Sequence, residues 1–344
     1  MRIAQVMAGA EHGGAELFFE RLCLSLHQTG DEVLPVIRHN PAREALLRDA
    51  GMLPRTLAFG TPMDLWTRPR LRRILREFAP DVVVSWMNRA TAHMPRGDWV
   101  HVGRLGGYYD LRHYRACDHL VGNTWGIVDW LRSQGWPEAR NHYVPNFADD
   151  FTAAEPSPDL PGAEGPWLLG LGRLHADKGF DTLIRALPAL ARVRLAIAGE
   201  GPERAALLRL AAAEGVGDRV RLLGWRHDAA RLLRAADVFV CSSRVEPLGN
   251  MVIEAWSAGC PVVACAADGP RELIQDAIDG VLVEREQPAM LAAAIAATLA
   301  HPETAAARVA AGRLRFEAEF SRTGVTASWR QFLSGVAASA GRVA

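Results

Sequence analysis

The feature that most constrains the fold is an alternation of short apolar runs with longer amphipathic segments along the 344 residues. Runs such as 81–85 (DVVVS) are short and apolar almost throughout. Because strands of a parallel sheet are buried on both faces, such runs predict buried parallel strands. The longer segments have the periodicity of helices, so the chain is predicted to be an α/β protein with helices on both faces of its sheets.

The predicted elements form two similar sets, one in each half of the chain. The predicted strands cover 3–7, 33–37, 81–85, 99–102 and 119–122, then 167–171, 194–198, 220–223, 238–241, 261–264 and 281–283. The predicted helices cover 15–28, 70–78 and 124–133, then 179–190, 203–214, 229–235, 250–258 and 288–299.

The segment between the two sets predicts a linker. Residues 149–162 are rich in proline, alanine and acidic residues and show no periodicity. We therefore expect two doubly wound domains, over 1–150 and 166–322, joined by a linker over 151–165. Ligands of such sheets bind at the carboxyl ends of the strands, so a cleft between facing domains is the expected site.

The composition excludes several classes of protein. Acidic and basic residues balance at 39 each, which argues against a nucleic-acid partner. The five cysteines are odd in number and form no Cys-x-x-Cys pair, so we interpret them as reduced core residues of a cytoplasmic protein. No apolar stretch approaches the ~18–20 residues of a membrane span. The first residues resemble a strand rather than a secretion signal.

One basic residue is unusual. Of the 39 Lys and Arg residues, only Lys178 is a lysine. It lies in the segment 170–179 (GLGRLHADKG), where a predicted strand ends in Gly170 and Gly172, and where Arg173 and Lys178 flank a short loop before a predicted helix. Two cations near a helix amino terminus favour a phosphate-bearing ligand, although a basic surface loop has the same pattern.

A second element covers 246–254 (EPLGNMVIE). Gly249 opens a predicted helix, whose first N–H groups can bind an anion. Glu246 and Glu254 are suited to accept hydrogen bonds from ribose or hexose hydroxyls, although acids are also common near helix starts. The loop at 8–16, which contains Gly13 and Gly14, is a third source of backbone N–H groups.

Competing motifs are missing from the sequence. It has no P-loop, no Gly-x-Gly-x-x-Gly and no Gly-x-Ser-x-Gly. It also has no Asp-x-Asp pair, so no metal ion is expected to hold a diphosphate. Arg173 and Lys178 would then have that role.

Taken in order, the motifs resemble the retaining glycosyltransferases of family 4, which have the two-Rossmann GT-B architecture. Each motif is weak alone, but their order along the chain is highly specific. The match covers most of the chain and is thin between residues 40 and 100. The matching segments are 13–16 (GGAE), 170–179, 199–202 (GEGP), 220–225 (VRLLGW), 236–238 (ADV), 246–254, 258–263 (AGCPVV) and 268–272 (DGPRE).

The resemblance implies a role for each matching residue. Arg173 and Lys178 would bind the donor diphosphate and stabilise it as a leaving group. Glu246 would face the donor sugar, and Glu254 the ribose. Further donor-binding residues would be Gly13, Gly14, Gly172, Trp225, Arg226, Leu248, Gly249, Asn250 and Met251. The family mechanism is a front-face displacement without a protein nucleophile, a cofactor or a metal ion.

On the acceptor side the sequence departs from the family pattern. Many relatives have a histidine after a middle strand of the first domain. Here His101 may lie within a strand while Arg104 occupies the following loop, and the sequence leaves open which of them faces the sugar. Asn88 and Arg89 are further acceptor-side candidates, or ordinary loop residues. The architecture also implies that a last helix, at about 323–344, packs back on the first domain.

The leading hypothesis is a transferase that moves a hexose-type sugar from a UDP-, GDP- or ADP-sugar to a glycan or a lipid-linked saccharide of the bacterial envelope. A sugar-nucleotide isomerase or epimerase on the same scaffold and a non-catalytic nucleotide-sugar binding protein are the alternatives. The basic run at 68–76 (RPRLRRILR) is compatible with contact with the cytoplasmic face of the inner membrane, although a solvated helix face before the strand at 81–85 is the preferred interpretation.

Overall fold

The computed structural model describes residues 1–11, 13–60, 64–162 and 165–341. It divides into two compact units: one holds residues 1–146 and the chain from 322 onward, and the other holds residues 147–321. The division falls after Asn146, four residues before the position expected from the sequence. The segment predicted as a linker belongs to the second unit, with 163 and 164 outside the described residues.

The first unit is built on a parallel sheet of seven strands in the order β3-β2-β1-β4-β5-β6-β7. Its central strands β1, β4 and β5 are buried over all or nearly all of their length, which explains why their sequences are mostly apolar. The strands are β1 (Arg2–Met7), β2 (Glu32–Arg38), β3 (Arg55–Leu57), β4 (Val82–Trp86), β5 (Val100–Leu105), β6 (His119–Gly122) and β7 (Asn141–Tyr143).

Helices of the first unit connect successive strands, and the last helix of the chain packs against α1. Ser25 of α1 and Thr326 of the last helix share a buried hydrogen bond of 2.6 Å, and Arg330 pairs with Asp31 at 2.8 Å. The helices are α1 (Gly14–Gln28), α2 (Pro41–Asp49), α3 (Thr67–Phe78), α4 (Met87–His93), α5 (Trp125–Ser133) and α13 (Arg322–Ser339). Residues 342–344 of the predicted last helix lie outside the described part of the chain.

The second unit has a parallel sheet of six strands in the order β10-β9-β8-β11-β12-β13. Its strands are β8 (Trp167–Leu171), β9 (Arg194–Ala198), β10 (Val220–Gly224), β11 (Val238–Cys241), β12 (Val262–Cys265) and β13 (Val281–Val283). Its helices are α6 (Phe180–Ala186), α7 (Arg204–Ala213), α8 (Ala229–Ala235), α9 (Asn250–Ala258), α10 (Asp268–Leu273), α11 (Pro288–Ala300) and α12 (Pro302–Arg315).

Both sheets confirm the predicted doubly wound α/β fold. The strand order reverses between β1 and β4 in the first sheet and between β8 and β11 in the second. At such a reversal, the connections leave to opposite sides of the sheet and open a crevice at the carboxyl ends of the two strands. Each unit therefore offers one crevice, which indicates where side chains can meet a ligand.

Several elements were missing from the sequence prediction. The strands β3 and β7 have three residues each and contain residues that are exposed or half-buried, so neither gives an apolar run. The helices α2, α4, α10 and α12 are short or have few buried residues. None of the helices in the described part of the chain combines the length and apolarity needed to cross a membrane.

Candidate active site

The crevice of the second unit lies where β8 and β11 end. The loop after β8 carries Gly172, Arg173 and Lys178, and the loop after β11 carries Glu246 and Gly249. The two segments are about 70 residues apart in sequence, and the parallel sheet brings them together because β8 and β11 are neighbouring strands.

Lys178 and Glu246 form an ion pair across this crevice, between Nζ and Oε2. The Lys178 side chain is 17% exposed and the Glu246 side chain 11%, so the pair is largely screened from water while one side stays open. Ser243 Oγ donates a further hydrogen bond of 3.4 Å to Glu246 Oε2. Gly172 makes room for the lysine, since a Cβ there would lie 3.1 Å from Lys178 Cε.

Arg244 binds the two loops to each other. Its backbone N–H donates to the Asp177 carbonyl at 2.7 Å, and its guanidinium donates to the Ala176 carbonyl at 2.8 Å. Ser242 Oγ donates to the Lys178 carbonyl at 2.9 Å. These bonds fix the backbone on both sides of Lys178, so the position of the ammonium group is set by the loop after β11.

The charge of Arg244 is neutralised by its neighbours. Two hydrogen bonds of 2.7 Å join it to the Asp181 carboxylate, and one of 2.8 Å joins it to Glu286. The arginine holds the pKa of Asp181 below its usual range, and the carboxylates raise the pKa of Arg244. Sequence reasoning missed Arg244 because its partners lie 42 to 68 residues away.

The helix α9 begins directly beside Glu246. Gly249 precedes it with a φ of 90°, a left-handed conformation that glycine adopts without strain. Asn250 and Met251 form the first turn, so their backbone N–H groups lie at the positive end of the helix. Leu248 is buried, and the Gly269 N–H donates to the Glu246 carbonyl at 2.8 Å, which anchors the turn.

Three more predicted donor residues belong to this unit. Glu254 lies one turn into α9 and is buried. Trp225 follows β10, the edge strand of the sheet, and its side chain is 44% exposed. The Arg226 guanidinium is already paired with Asp228 at 2.6 Å and with Asp159 at 2.8 Å, so its side chain is less suited to a ligand than the sequence suggested.

In the first unit, the predicted glycines lie where β1 leads into α1. Gly13 precedes the helix and Gly14 is its first residue. The neighbouring loop is held by Glu16, whose Oε1 accepts a hydrogen bond of 2.7 Å from the Ala10 N–H. Arg43 donates to the Glu11 carbonyl at 3.2 Å. His12, within the same predicted loop, lies outside the described residues.

His101 lies within β5, as expected from the sequence. Its ring is 5% exposed, and Nε2 lies 2.8 Å from Ser85 Oγ and 3.7 Å from Cys117 Sγ. Burial lowers the pKa of His101 to about 4. The ring is a neutral member of a buried network at neutral pH, so the geometry gives it no contact with solvent or a sugar.

The expectation that Arg104 occupies a loop was wrong. Arg104 is the fifth of six residues in β5, and the alternation of a strand places it on the opposite face from His101. The interpretation of Asn88 and Arg89 as loop residues was also wrong, because both lie in α4. Arg89 is exposed, whereas Asn88 Oδ1 is buried and without a hydrogen-bond partner.

Two Rossmann-like units, the second with a lysine and a glutamate paired at its strand reversal, define a glycosyltransferase of the GT-B architecture. Family models confirm this class, with "Glycosyltransferase Family 4" matching residues 12–150 and "Glycosyl transferases group 1" matching residues 165–301. The chain is 32% identical to the lipopolysaccharide core biosynthesis glycosyltransferase LpsE of Rhizobium meliloti, over 94% of this chain and 96% of that protein. It therefore belongs to glycosyltransferase family 4.

Other comparisons agree with this assignment. The lipopolysaccharide core biosynthesis glycosyltransferase LpsD of Rhizobium meliloti is 33% identical over 95% of this chain and 96% of that protein. The Anabaena protein HepE, solved in complex with UDP and glucose, superposes with a TM-score of 0.83 at 20% identity, covering 97% of this chain and all of HepE. At that identity the structural likeness establishes the fold alone.

The buried histidine predicts a pH dependence of stability. The pKa of His101 is lower in the folded chain than in the unfolded chain. As the pH falls from ~6.5 towards 4, the imidazole is therefore protonated in the unfolded chain but stays neutral in the folded chain. The contribution of His101 to the free energy of unfolding is therefore fully present above pH 6.5. It falls by up to about 3 kcal/mol as the pH is lowered across that window. Urea unfolding at pH 7 and pH 4.5 should show a smaller loss for His101→Gln than for the wild type.

The matched control is His227→Gln, which replaces an exposed histidine of the second unit. It should show the same pH dependence as the wild type. An equal loss of stability in His101→Gln and wild type would show that the buried ring does not cause the effect.

Proposed function

We propose that this glycosyltransferase moves a hexose-type sugar from a nucleotide-diphosphate donor to a saccharide hydroxyl with retention of configuration. The observation that carries the proposal is the Lys178–Glu246 ion pair at the strand reversal of the second unit. It sets a compact cation beside a carboxylate, next to a helix amino terminus, which is the arrangement that a sugar diphosphate requires.

The two cations of the loop after β8 would stabilise the leaving group. Negative charge grows on the diphosphate as the glycosidic bond breaks, so a cation that is already in position lowers the barrier. Lys178 is held in place by Glu246, whereas Arg173 is exposed and forms no ion pair with the described residues. Arg173 is thus available to a phosphate that enters the crevice.

Other residues of the same unit would recognise the rest of the donor. The first N–H groups of α9, from Asn250 and Met251, suit a phosphate oxygen or a sugar hydroxyl. Glu254, one turn further, suits the ribose hydroxyls, and the exposed ring of Trp225 suits a nucleobase. Glu246 would accept a hydrogen bond from a donor-sugar hydroxyl while it pairs with Lys178.

The reaction needs no protein nucleophile. The bond between the anomeric carbon and the phosphate oxygen breaks, and the acceptor oxygen attacks the same face of the sugar. The departing phosphate oxygen takes the acceptor proton, so the products are the glycoside and the nucleoside diphosphate. We propose that this step is independent of metal ions and cofactors, since Lys178 and Arg173 supply the positive charge.

The names of the relatives suggest the acceptor class. LpsE and LpsD, which match nearly the whole chain, are both described as lipopolysaccharide core glycosyltransferases. We propose that this protein glycosylates a lipopolysaccharide core or a related envelope saccharide on the cytoplasmic side. The likeness of HepE, solved with UDP and glucose, makes UDP-sugars the first donors to test.

A donor panel tests the proposal. The protein is incubated with UDP-, GDP- and ADP-sugars, with and without lipopolysaccharide core acceptors, and released nucleotide is measured in the presence and absence of EDTA. We expect acceptor-stimulated release that EDTA does not reduce. Conversion of the donor to another sugar nucleotide would favour an isomerase or epimerase, and tight binding without release would favour a binding protein. Strong inhibition by EDTA would contradict the metal-independent step.

Replacement of the lysine tests the leaving-group role. We expect Lys178→Met to slow acceptor-dependent nucleotide release by about 10²- to 10³-fold, the usual cost of removing one preorganised charge-stabilising group. Lys178→Arg should also be impaired, because a planar guanidinium is wider than an ammonium group. The control Arg209→Met, at an exposed position of α7, should keep wild-type turnover. Wild-type turnover in Lys178→Met would contradict the assigned role.

We further propose that α3 rests on an anionic membrane surface. Leu71 and Leu75 anchor the helix to the core, while its five arginines point to solvent. Directly before it, Leu65 and Trp66 are 78% and 71% exposed. An exposed tryptophan beside clustered arginines suits the boundary of an anionic bilayer.

Vesicle binding tests this contact. The variant Arg68→Gln/Arg72→Gln/Arg76→Gln removes one turn-spaced row of charge, and at ~1 kcal/mol per arginine we expect about a hundredfold weaker binding to phosphatidylglycerol vesicles. The charge-matched control Arg55→Gln/Arg96→Gln/Arg209→Gln changes exposed positions elsewhere and should bind as the wild type. Equal binding of both variants would show that α3 is not the contact.

A further inference from the structure

The first unit contains a buried cation that the structure does not neutralise. The Arg104 side chain is 2% exposed, and within the described residues no carboxylate oxygen lies within ion-pair distance of its guanidinium. Its Nη2 donates hydrogen bonds to Asn146 Oδ1 at 2.5 Å and to the side-chain oxygen of Asn123 at 3.2 Å. The Nε atom is buried without an acceptor.

The remaining neighbours of the guanidinium are aromatic rings. Its central carbon lies 4.8 Å from the Trp86 ring centre and 5.4 Å from that of Phe18. Rings attract a cation but accept no strong hydrogen bond. Burying a charge is costly unless it is paired and its donors are satisfied, so this site remains incomplete with protein groups alone. Desolvation lowers the pKa of Arg104 to about 10, which still leaves it charged at neutral pH.

The place of Arg104 in the fold points towards a ligand. It is the penultimate residue of β5 and pairs in register with Trp86, the last residue of β4. β4 borders the strand reversal, where doubly wound sheets bind their ligands. Asn88, two residues beyond Trp86, carries a second buried polar atom without a partner, Oδ1.

The backbone of Gly106 lies close to one end of the guanidinium. A Cβ at Gly106 would lie 2.5 Å from Arg104 Nη1, so any larger residue would push against the charged group. Gly106 itself is half-buried, at the start of the loop that follows β5. A ligand that displaces this loop slightly meets Nη1 and Nε, the two nitrogens that donate no hydrogen bond to the described residues.

We propose that Arg104 binds an oxyanion, a phosphate or a carboxylate, on the acceptor saccharide. Five N–H donors in a fixed plane suit two oxygens of either group. The statement that this anion belongs to the acceptor rests on the proposed function, but the binding of an oxyanion at Arg104 does not. The acceptor class is thereby narrowed to saccharides that carry a phosphate or a carboxylate.

Anion-dependent stability tests the site. The full chain carrying Arg173→Met/Lys178→Met is the parent, so that the proposed diphosphate site contributes no anion binding. Its urea midpoint is measured against inorganic phosphate and against acetate, up to 100 mM, at constant ionic strength set with chloride. We expect a saturable rise of the midpoint with at least one of them, because a ligand of the folded state stabilises it. The preferred anion then distinguishes a phosphorylated acceptor from a carboxylated one.

Arg104→Met in the same parent should abolish the rise of the urea midpoint with added anion. Without added anion, this variant should be at least as stable as the parent, because it removes an unpaired buried charge. Should Arg104→Met fail to fold, Gly106→Ala is the second variant, since its methyl group blocks Nη1, and it should weaken the rise at least tenfold. No saturable rise with phosphate or acetate, or an equal rise in Arg104→Met, would overturn the proposal. The donor panel reports nucleotide release separately, so failure of that panel and failure of this site are distinguishable.

Discussion

The ion pair between Lys178 and Glu246 joins the two loops at the strand reversal of the second unit, and we propose that the chemistry of this unit depends on it. Without Glu246, a lysine at the carboxyl end of a buried strand would sample many rotamers, and its ammonium group would be hydrated. Glu246 fixes its position, and both side chains keep a small exposed fraction. The hydrogen bonds of Arg244 and Ser242 join the backbones of the two loops, and they thereby keep Lys178 beside Glu246.

The pair also explains the unusual lysine of the sequence. The chain uses arginine almost everywhere, including in Arg244, which takes part in a purely structural network. A guanidinium is wide, planar and best satisfied by two carboxylate oxygens, as Arg244 is by Asp181. Beside Gly172 the space admits a narrow side chain with a compact charge. We propose that the ammonium group faces one oxygen of Glu246 and those of the donor diphosphate.

Much of the fold was predictable from the sequence, because buried parallel strands give short apolar runs and β8, β9, β11 and β13 begin and end where those runs do. The strands β3 and β7 give no such run, so they were missed. Motif order also singled out Lys178 and Glu246, which the structure brings together, while their role towards a donor stays a prediction. It could not predict that Lys178 binds Glu246 or that Arg244 joins their loops, since these contacts depend on how distant segments pack. The placement of Arg104 was mispredicted for the same reason. Whether it lies in a strand or a loop depends on where β5 ends, and the surroundings of its guanidinium depend on side chains from other elements.

The central claim is that Lys178 and Glu246 act as one unit on the donor. A double-mutant cycle tests it most directly: the rate of acceptor-dependent nucleotide release is measured for wild type, Lys178→Met, Glu246→Gln and the double variant. We predict that the second substitution slows nucleotide release little once the first is made, because either change breaks the same pair. The coupling between the two residues in activation free energy should be about 2 kcal/mol or more. Rate losses that simply add would contradict the account, since they would show that the two residues act independently.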